Sequence, residues 1–321
     1  MSSVTAAPIR LDGVEKRYAA DTVAVAGLSL DIPAGELVAL VGPSGCGKST
    51  VLRMINRLLT PTSGTISIDG EDIMSRDPVE LRRHIGYVIQ HVGLFPHQNI
   101  ATNVATVPRL LGWSKSRIAD RVDELLGLVG LDRTVHGDRY PHQLSGGQRQ
   151  RVGVARALAA DPRVLLMDEP FSAVDPIARG KLQEEFLRLQ ADVGKTIVFV
   201  THDVDEAIRL GDRIVVLSHR ATLEQYGTPA EILRNPASPF VAEFVGADRG
   251  VKSLSVTPVP RAGLRDLPPG DHPQIDVDAD LRLALSELLD GDTGFVSVTD
   301  NGETLGALSA NDVYQALHTA S

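Results

Sequence analysis

The sequence predicts an α/β fold organised on a buried parallel sheet. Three observations carry this expectation. Leu37-Val38-Ala39-Leu40-Val41, Val164-Leu165-Leu166-Met167 and Ile197-Val198-Phe199-Val200 are short, unbroken apolar runs, the kind required by strands covered on both faces. The first run opens through a glycine-rich turn onto Val51-Leu52-Arg53-Met54-Ile55, which has helical spacing. The other two end in polar clusters, Asp168-Glu169-Pro170 and Thr201-His202-Asp203, and in open α/β sheets ligands bind at the carboxyl ends of strands.

The glycine-rich turn is Gly42-Pro43-Ser44-Gly45-Cys46-Gly47-Lys48-Ser49-Thr50, a match to G-x-x-x-x-G-K-[ST]. Glycines permit backbone angles that a side chain would forbid, so backbone N–H groups can converge on phosphate oxygens at a helix N-terminus. Lys48 is placed to reach the β- and γ-phosphates, and the Ser49 hydroxyl to hold Mg²⁺. Average residue usage makes a chance match about one in a hundred for this length, and the strand and helix around it lower that further. Nucleotide binding follows.

Composition bounds the rest. The 321 residues suit one large or two modest domains, and 43% hydrophobic with 23% charged is ordinary for a soluble globular protein. No run of 18 apolar residues exists, and the first ten residues hold no apolar signal core. The single cysteine, Cys46, excludes an internal disulfide and fits a reducing cytoplasm. The nine histidines are scattered, so the expected metal is the one carried by the nucleotide. Residues 1–246 hold 27 Lys+Arg against 29 Asp+Glu, and residues 247–321 hold 5 against 12. The acidity belongs to the tail, and nothing suggests a nucleic-acid surface.

In chain order, residues 9–32 alternate apolar stretches with turn residues and read as antiparallel strands. Tyr18 is an aromatic upstream of the glycine-rich turn, able either to stack on a base or simply to pack. Residues 65–70 are an alternating strand, and residues 85–90 an apolar strand ending in Gln90. The period is helical over 99–128, with Pro108 and Gly112 as breaks; Trp113 reads as a packing residue. Ser145, Gly146, Gly147 and Gln148 precede a helical stretch, either as a second anion site or as a plain N-cap. Asp168 has the position of a Mg²⁺-associated carboxylate, and Glu169 can polarise water. Asp175 lies in a turn six residues on, and His202 ends a strand facing the same crevice.

Each element alone is ambiguous, but their order resembles the ATP-binding subunits of ABC transporters over residues 9–246. That resemblance implies a P-loop NTPase with a RecA-like core, an antiparallel β subdomain and a helical subdomain. By the same resemblance, Tyr18 stacks on adenine, and residues 42–50 with Ser49 and Asp168 hold Mg²⁺ and ATP. Gln90 touches Mg²⁺ and water and links the site to membrane subunits. Glu169 is the catalytic glutamate, Asp175 the D-loop aspartate and His202 the switch histidine, with Lys48 on the phosphates. Ser145 to Gln148 is the signature that closes on the nucleotide of a second copy, so a homodimer is implied. Val174 stands where leucine is commoner in that family.

Lys48 and Asp168 lie 120 residues apart with no sustained heptads, which does not suit the relatives that insert a long coiled coil. One ATPase domain and no fused membrane helices leave an importer subunit, peripheral on the cytoplasmic face of the membrane. Its partners would be membrane permease subunits and, indirectly, an extracytoplasmic solute-binding protein. Residues 87–97 and 107–113, with 186–190 running into 195–203, look like the quaternary-amine uptake subfamily (glycine betaine, choline, carnitine, proline betaine). An importer for another small polar solute such as an amino acid, and a soluble non-transport ABC ATPase, are the competing readings.

Past Gly246 the composition shifts. Thr257-Pro258-Val259-Pro260 and Pro268-Pro269-Gly270 read as linker or loop. Asp280 caps a helix with Leu281, Ala284, Leu285 and Leu288 on one face; strands follow at 295–298 and 305–308, joined by Asp300-Asn301-Gly302. Ser309-Ala310-Asn311-Asp312 is a capping-box pattern before a last helix. This small α+β unit, residues 247–321, is similar to a single cystathionine-β-synthase (CBS) repeat. In that family the Ser/Thr-x-x-Asp binds an adenosine ribose; here a plain helix cap is the competing reading. Whether the repeat pairs across a dimer, binds a nucleotide or senses ionic strength stays open.

Overall fold

The structure, a computed structural model, describes residues 5–18, 22–90, 93–172, 174 and 176–319. In chain order its strands and helices begin with β1 (Ile9–Arg17), β2 (Val23–Ile32), β3 (Leu37–Val41), α1 (Lys48–Ile55), β4 (Ser63–Ile68), β5 (Glu71–Asp72), α2 (Pro78–Arg83) and β6 (Ile85–Val88). Next come α3 (Ile100–Val104), α4 (Thr106–Leu110), α5 (Lys115–Leu128), α6 (Arg133–His136), α7 (Gly146–Leu158), β7 (Val164–Asp168), α8 (Pro176–Val193), β8 (Thr196–Val200), α9 (Val204–Leu210), β9 (Arg213–Ser218) and β10 (Thr222–Gly227). The last part holds α10 (Pro229–Arg234), α11 (Pro239–Val245), α12 (Arg249–Leu254), β11 (Gln274–Asp276), α13 (Leu281–Asp290), β12 (Phe295–Asp300), β13 (Glu303–Ser309) and α14 (Ala310–Thr319).

The chain divides into two compact units, Met1–Tyr226 and Gly227–Ser321. The expected division at 246/247 falls inside the second unit, because α10 to α12 group with the tail.

In the first unit a six-stranded sheet has the order β10-β9-β3-β8-β7-β6. The pairs β3–β8, β3–β9, β7–β8 and β6–β7 are all parallel. Every residue of β3, β7 and β8 is buried, which is why these strands read as continuous apolar runs rather than alternating ones. Each fully buried Val, Leu or Ile contributes roughly 1.5–3 kcal/mol, so these strands anchor the loops at their carboxyl ends. The segment 9–32 forms the expected antiparallel pair within a second sheet, β2-β1-β4-β5. Ile9, Leu11, Leu30 and Ile66 from that sheet join Val38, Leu40, Val198 and α1 residues in one apolar core.

Between β6 and β7 the chain makes a helical excursion, α3 to α7. The break expected at Pro108 lies upstream, at Ala105, and Pro108 itself sits inside α4. The reason is covalent: proline has no N–H to donate to the carbonyl four residues earlier, so the interruption appears before it. Gly112, with φ 72°, ends the helix as expected. Trp113 packs under the Arg117 guanidinium, 3.5 Å from the ring centroid.

In the second unit β11 pairs parallel with β12, and β12 antiparallel with β13. Asp280 caps α13 by accepting from the Leu283 N–H at 2.8 Å, and Leu281, Ala284 and Leu288 are buried. Asn301 and Gly302 are both left-handed (φ 49° and 85°), the backbone a two-residue hairpin demands. The Thr257-Pro258-Val259-Pro260 stretch is not a free linker. Thr257 and Val259 are buried, Leu281 N–H donates to the Thr257 carbonyl and Val259 N–H to that of Ala279. The prolines are read as linker from composition, but the apolar residue between them is held by the sheet's core.

Asp312 completes the second unit's packing. Its carboxylate accepts from Arg265 Nε at 2.7 Å, and from the Ser309 hydroxyl and N–H at 2.6 and 2.9 Å. The Arg265 guanidinium, ahead of the Ser309 donors, holds the Asp312 carboxyl at about 2. A carboxylate held below its unfolded value stabilises the fold above that unfolded value, and the contribution is lost as pH falls through about 2. Asp312→Asn is therefore expected to destabilise the chain by about 1 kcal/mol, as loss of a helix cap does. In denaturant titrations the gap between the two proteins should be widest near neutral pH and shrink below pH ~4. A gap independent of pH would exclude the charge as its cause.

Candidate functional site

The parallel sheet brings four strand ends to one level. Leu40 is in register with Val200, Asp168 with Val200, and Val88 with Met167. Beyond these ends lie the glycine-rich turn, Gln90, Glu169 and His202, as the sequence led one to expect.

The turn is built by backbone angles and by space. Gly42, Gly45 and Gly47 have φ of 152°, 77° and 118°. A Cβ on Gly42 would sit 2.1 Å from the Leu217 carbonyl oxygen, and on Gly47 2.6 Å from that of Ala24; around Gly45 there is open space. Lys48, only 6% exposed, folds back so that Nζ donates to the carbonyls of Gly42 (2.7 Å) and Pro43 (2.9 Å). Among the described residues no carboxylate lies within ion-pair distance of it. A buried ammonium with neutral partners fits a polyanion, since burying a charge unpaired is unfavourable. Cys46 is buried with the apolar core, and its Sγ accepts from Lys48 Nζ at 3.8 Å.

Ser49 donates its hydroxyl to Asp168 Oδ1 at 2.7 Å, and Arg53 Nη2 lies 4.0 Å from Asp168 Oδ2. Among the described residues there is no cluster of three His, Cys, Asp or Glu able to hold a metal. One hydroxyl and one carboxylate is nevertheless the sparse donor set that suits Mg²⁺, which keeps waters and takes its remaining oxygens from phosphates. The residues therefore fit a metal that arrives with a nucleotide.

Glu169 is the node of the site. Its Oε2 accepts from Gln90 Nε2 at 2.9 Å, and its Oε1 lies 3.4 Å from His202 Nδ1. Its backbone is left-handed (φ 46°), unusual for a non-glycine residue and of the kind stored at functional sites. Three hydrogen bonds fix it: Glu169 N–H donates to the Val200 carbonyl at 3.0 Å, and the Ser172 hydroxyl and N–H donate to the Glu169 carbonyl at 2.9 and 3.3 Å. Behind Glu169 and His202 lies a polar cavity of about 50 Å³, also lined by Ser172, Arg179, Thr201 and Glu206. That is room for water, and the walls offer it partners.

Comparison with known proteins agrees with this geometry. Residues 25–172 match the ABC transporter family. Over 245 residues, 76% of this chain, it is 57% identical to the glycine betaine/carnitine/choline transport ATP-binding protein OpuCA of Bacillus subtilis. The match spans 64% of that relative's length. Over 252 residues it is 52% identical to the glycine betaine uptake system ATP-binding protein YehX of Escherichia coli, covering 78% of this chain and 81% of YehX. The chain belongs to the ABC transporter ATP-binding family. Its fold superposes on a dimeric, post-hydrolysis ATP-binding cassette, MJ0796 with ADP and Pi, with TM-score 0.61 and 35% identity, covering 69% of this chain and 98% of that one.

In this ABC cassette the residues of the expected signature stand apart from the turn. Ser145 caps α7, accepting from Gln148 N–H at 3.2 Å, while Gln148 Oε1 accepts from Ser145 N–H at 3.0 Å. Gln148 Nε2 also lies 3.4 Å from His136 Nε2. Among the described residues, the hydrogen bonds of Ser145 and Gln148 do not reach residues 42–50. Tyr18 is 44% exposed, and Lys16 Nζ sits over its ring, 5.4 Å from the centroid. Asp175 lies outside the described residues.

Sequence reasoning missed Arg53, Arg179 and Glu206. Glu206 is 94% buried by accessible surface, accepts from Gln183 Nε2 at 3.0 Å, and has its carboxyl pushed up by that burial. A charged residue on the first turn of α9 looks like an ordinary helix-capping acid, and nothing local distinguishes it.

The crowding at Gly47 and the openness at Gly45 make unequal demands. Gly47→Ala should abolish nucleotide binding measured by fluorescence titration, because the turn must shift to clear the Ala24 carbonyl. Gly45→Ala should only weaken it, since left-handed strain is of order 1–2 kcal/mol. Equal effects would show that space around the turn is not what limits binding.

Proposed function

We propose that this chain is the ATP-hydrolysing subunit of an importer for quaternary-amine compatible solutes such as glycine betaine, choline, carnitine or proline betaine. The observation that carries it is the 57% identity to a protein named for transport of glycine betaine, carnitine and choline, together with the side chains gathered at the glycine-rich turn and the strand ends. The chain acts from the cytoplasmic face of the membrane as a homodimer on separate permease subunits, fed indirectly by an extracytoplasmic solute-binding protein. Among the described residues no helix is long and apolar enough to cross a membrane.

Residues 1–246 are the ATPase part. The glycine-rich turn wraps the phosphates, Tyr18 stacks on the base, and Lys48 leaves its carbonyl partners for β- and γ-phosphate oxygens. Ser49, Asp168 and Gln90 are the residues that would hold Mg²⁺, which would supply charge neutralisation on the phosphates. Glu169 orients the attacking water and takes its proton; the water oxygen bonds to the γ-phosphorus, the β–γ bridge breaks, and ADP and phosphate leave. Gln90 and His202 keep the Glu169 carboxylate aimed, which is catalysis by positioning. Ser145, Gly146, Gly147 and Gln148 of one copy, with Asp175 at the interface, complete the site of the other. Residues 247–321 form a CBS-like regulatory module.

Two measurements test this reading. Glu169→Gln should retain ATP binding while turnover falls by about 10²–10⁴, the usual weight of a general base. Normal hydrolysis by the purified variant would remove Glu169 from that role. With its membrane subunits and binding protein reconstituted in vesicles, ATPase activity should be stimulated by a quaternary amine. Stimulation by an amino acid alone, or by no solute, would overturn the substrate class.

A further inference from the structure

The segment after β6 is held by two side chains that the proposed reaction does not yet use. Arg156, in the body of α7, donates Nη1–H to the Gly93 carbonyl at 2.7 Å. Burial pulls its guanidinium below the usual range, while the hydrogen bond itself lies at the surface. Asn103, fully buried on α3, accepts from Phe95 N–H at 2.7 Å and donates Nδ2 to the carbonyls of Phe95, Gln98 and Asn99 at 3.2, 3.0 and 3.0 Å.

These contacts bind residues 93–99 to the helices. Gln90, three residues before Gly93, instead holds Glu169 at the end of β7. The helix that Ser145 caps is thus hydrogen-bonded, through Arg156, to the segment whose near end orients Glu169.

We propose that Arg156 is a positioning residue for hydrolysis, acting through the Gly93 carbonyl to fix where Gln90 meets Glu169. Movement of α7 then reaches the water-activating carboxylate through the Arg156–Gly93 and Gln90–Glu169 hydrogen bonds, whose chain ends lie three residues apart in sequence. Asn103 keeps residues 95–99 stiff, so displacement at α7 is not absorbed within that turn. This inference rests on the reading of Glu169 and Gln90 as parts of the hydrolytic site.

The test is a double-mutant cycle on the full chain, read by single-turnover hydrolysis so that slow variants are still measured, with ATP affinity measured in parallel. Arg156→Gln should slow hydrolysis by about ten- to a hundred-fold, the scale of a small misplacement, while ATP affinity stays within about two-fold. Arg156→Lys should recover part of the rate. In a Gln90→Ala background the Arg156→Gln change should slow hydrolysis no further, because the path is already cut. A merely structural arginine would give multiplicative effects, and that result overturns the proposal, as does an unchanged rate in Arg156→Gln. Glu169→Gln is run alongside. Normal hydrolysis there would overturn the site reading and this inference with it. Lost hydrolysis there with multiplicative Arg156 and Gln90 effects would overturn the inference alone.

Discussion

A buried ammonium held by neutral oxygens is the constraint on which the rest depends. Lys48 sits at the first turn of α1 with its Nζ on the carbonyls of Gly42 and Pro43. Those carbonyls are where they are because β3 is locked between β8 and β9, and because Gly42 and Gly47 pass so close to the Leu217 and Ala24 carbonyls that only glycine fits. Packing therefore creates a buried positive charge held by two carbonyls and a thiol, with no counter-ion among the described residues. A nucleotide's phosphates supply what is missing, and the fold's stability and its ligand preference share one origin.

The opposite charge is gathered one strand away. Asp168 ends β7 facing Ser49, and Glu169 turns into a left-handed conformation that swings it towards Gln90 and His202. Two adjacent carboxylates are thereby given different jobs by backbone geometry alone. One faces Ser49 in the turn, the other Gln90 and His202. The small polar cavity that Glu169 lines has room for water beside that carboxylate.

Much of this was legible in the sequence, because the informative signals are local. The glycine-rich turn, the buried runs and the polar residues at their ends are each readable within a few positions. The hairpin at Asn301-Gly302 and the caps at Ser145 and Asp280 follow from short-range hydrogen bonding. What was not legible depends on distance along the chain. Arg156 meets Gly93 across 63 residues and Arg265 meets Asp312 across 47, and no periodicity announces such pairs. Side-chain direction was equally hidden: Cys46 lies in the turn by sequence but in the core by structure. Thr257-Pro258-Val259-Pro260 looks like linker by composition, yet burial of Val259 ties it down.

The proposed function requires that one chain carry only half of each hydrolytic site. The turn and Glu169 lie together, while Ser145 and Gln148 make their hydrogen bonds elsewhere. Light scattering of the Glu169→Gln chain, with and without Mg·ATP, tests this most directly. The expected result is that saturating Mg·ATP converts monomer to dimer with one nucleotide bound per chain. Full nucleotide occupancy with the mass remaining that of a monomer would contradict it.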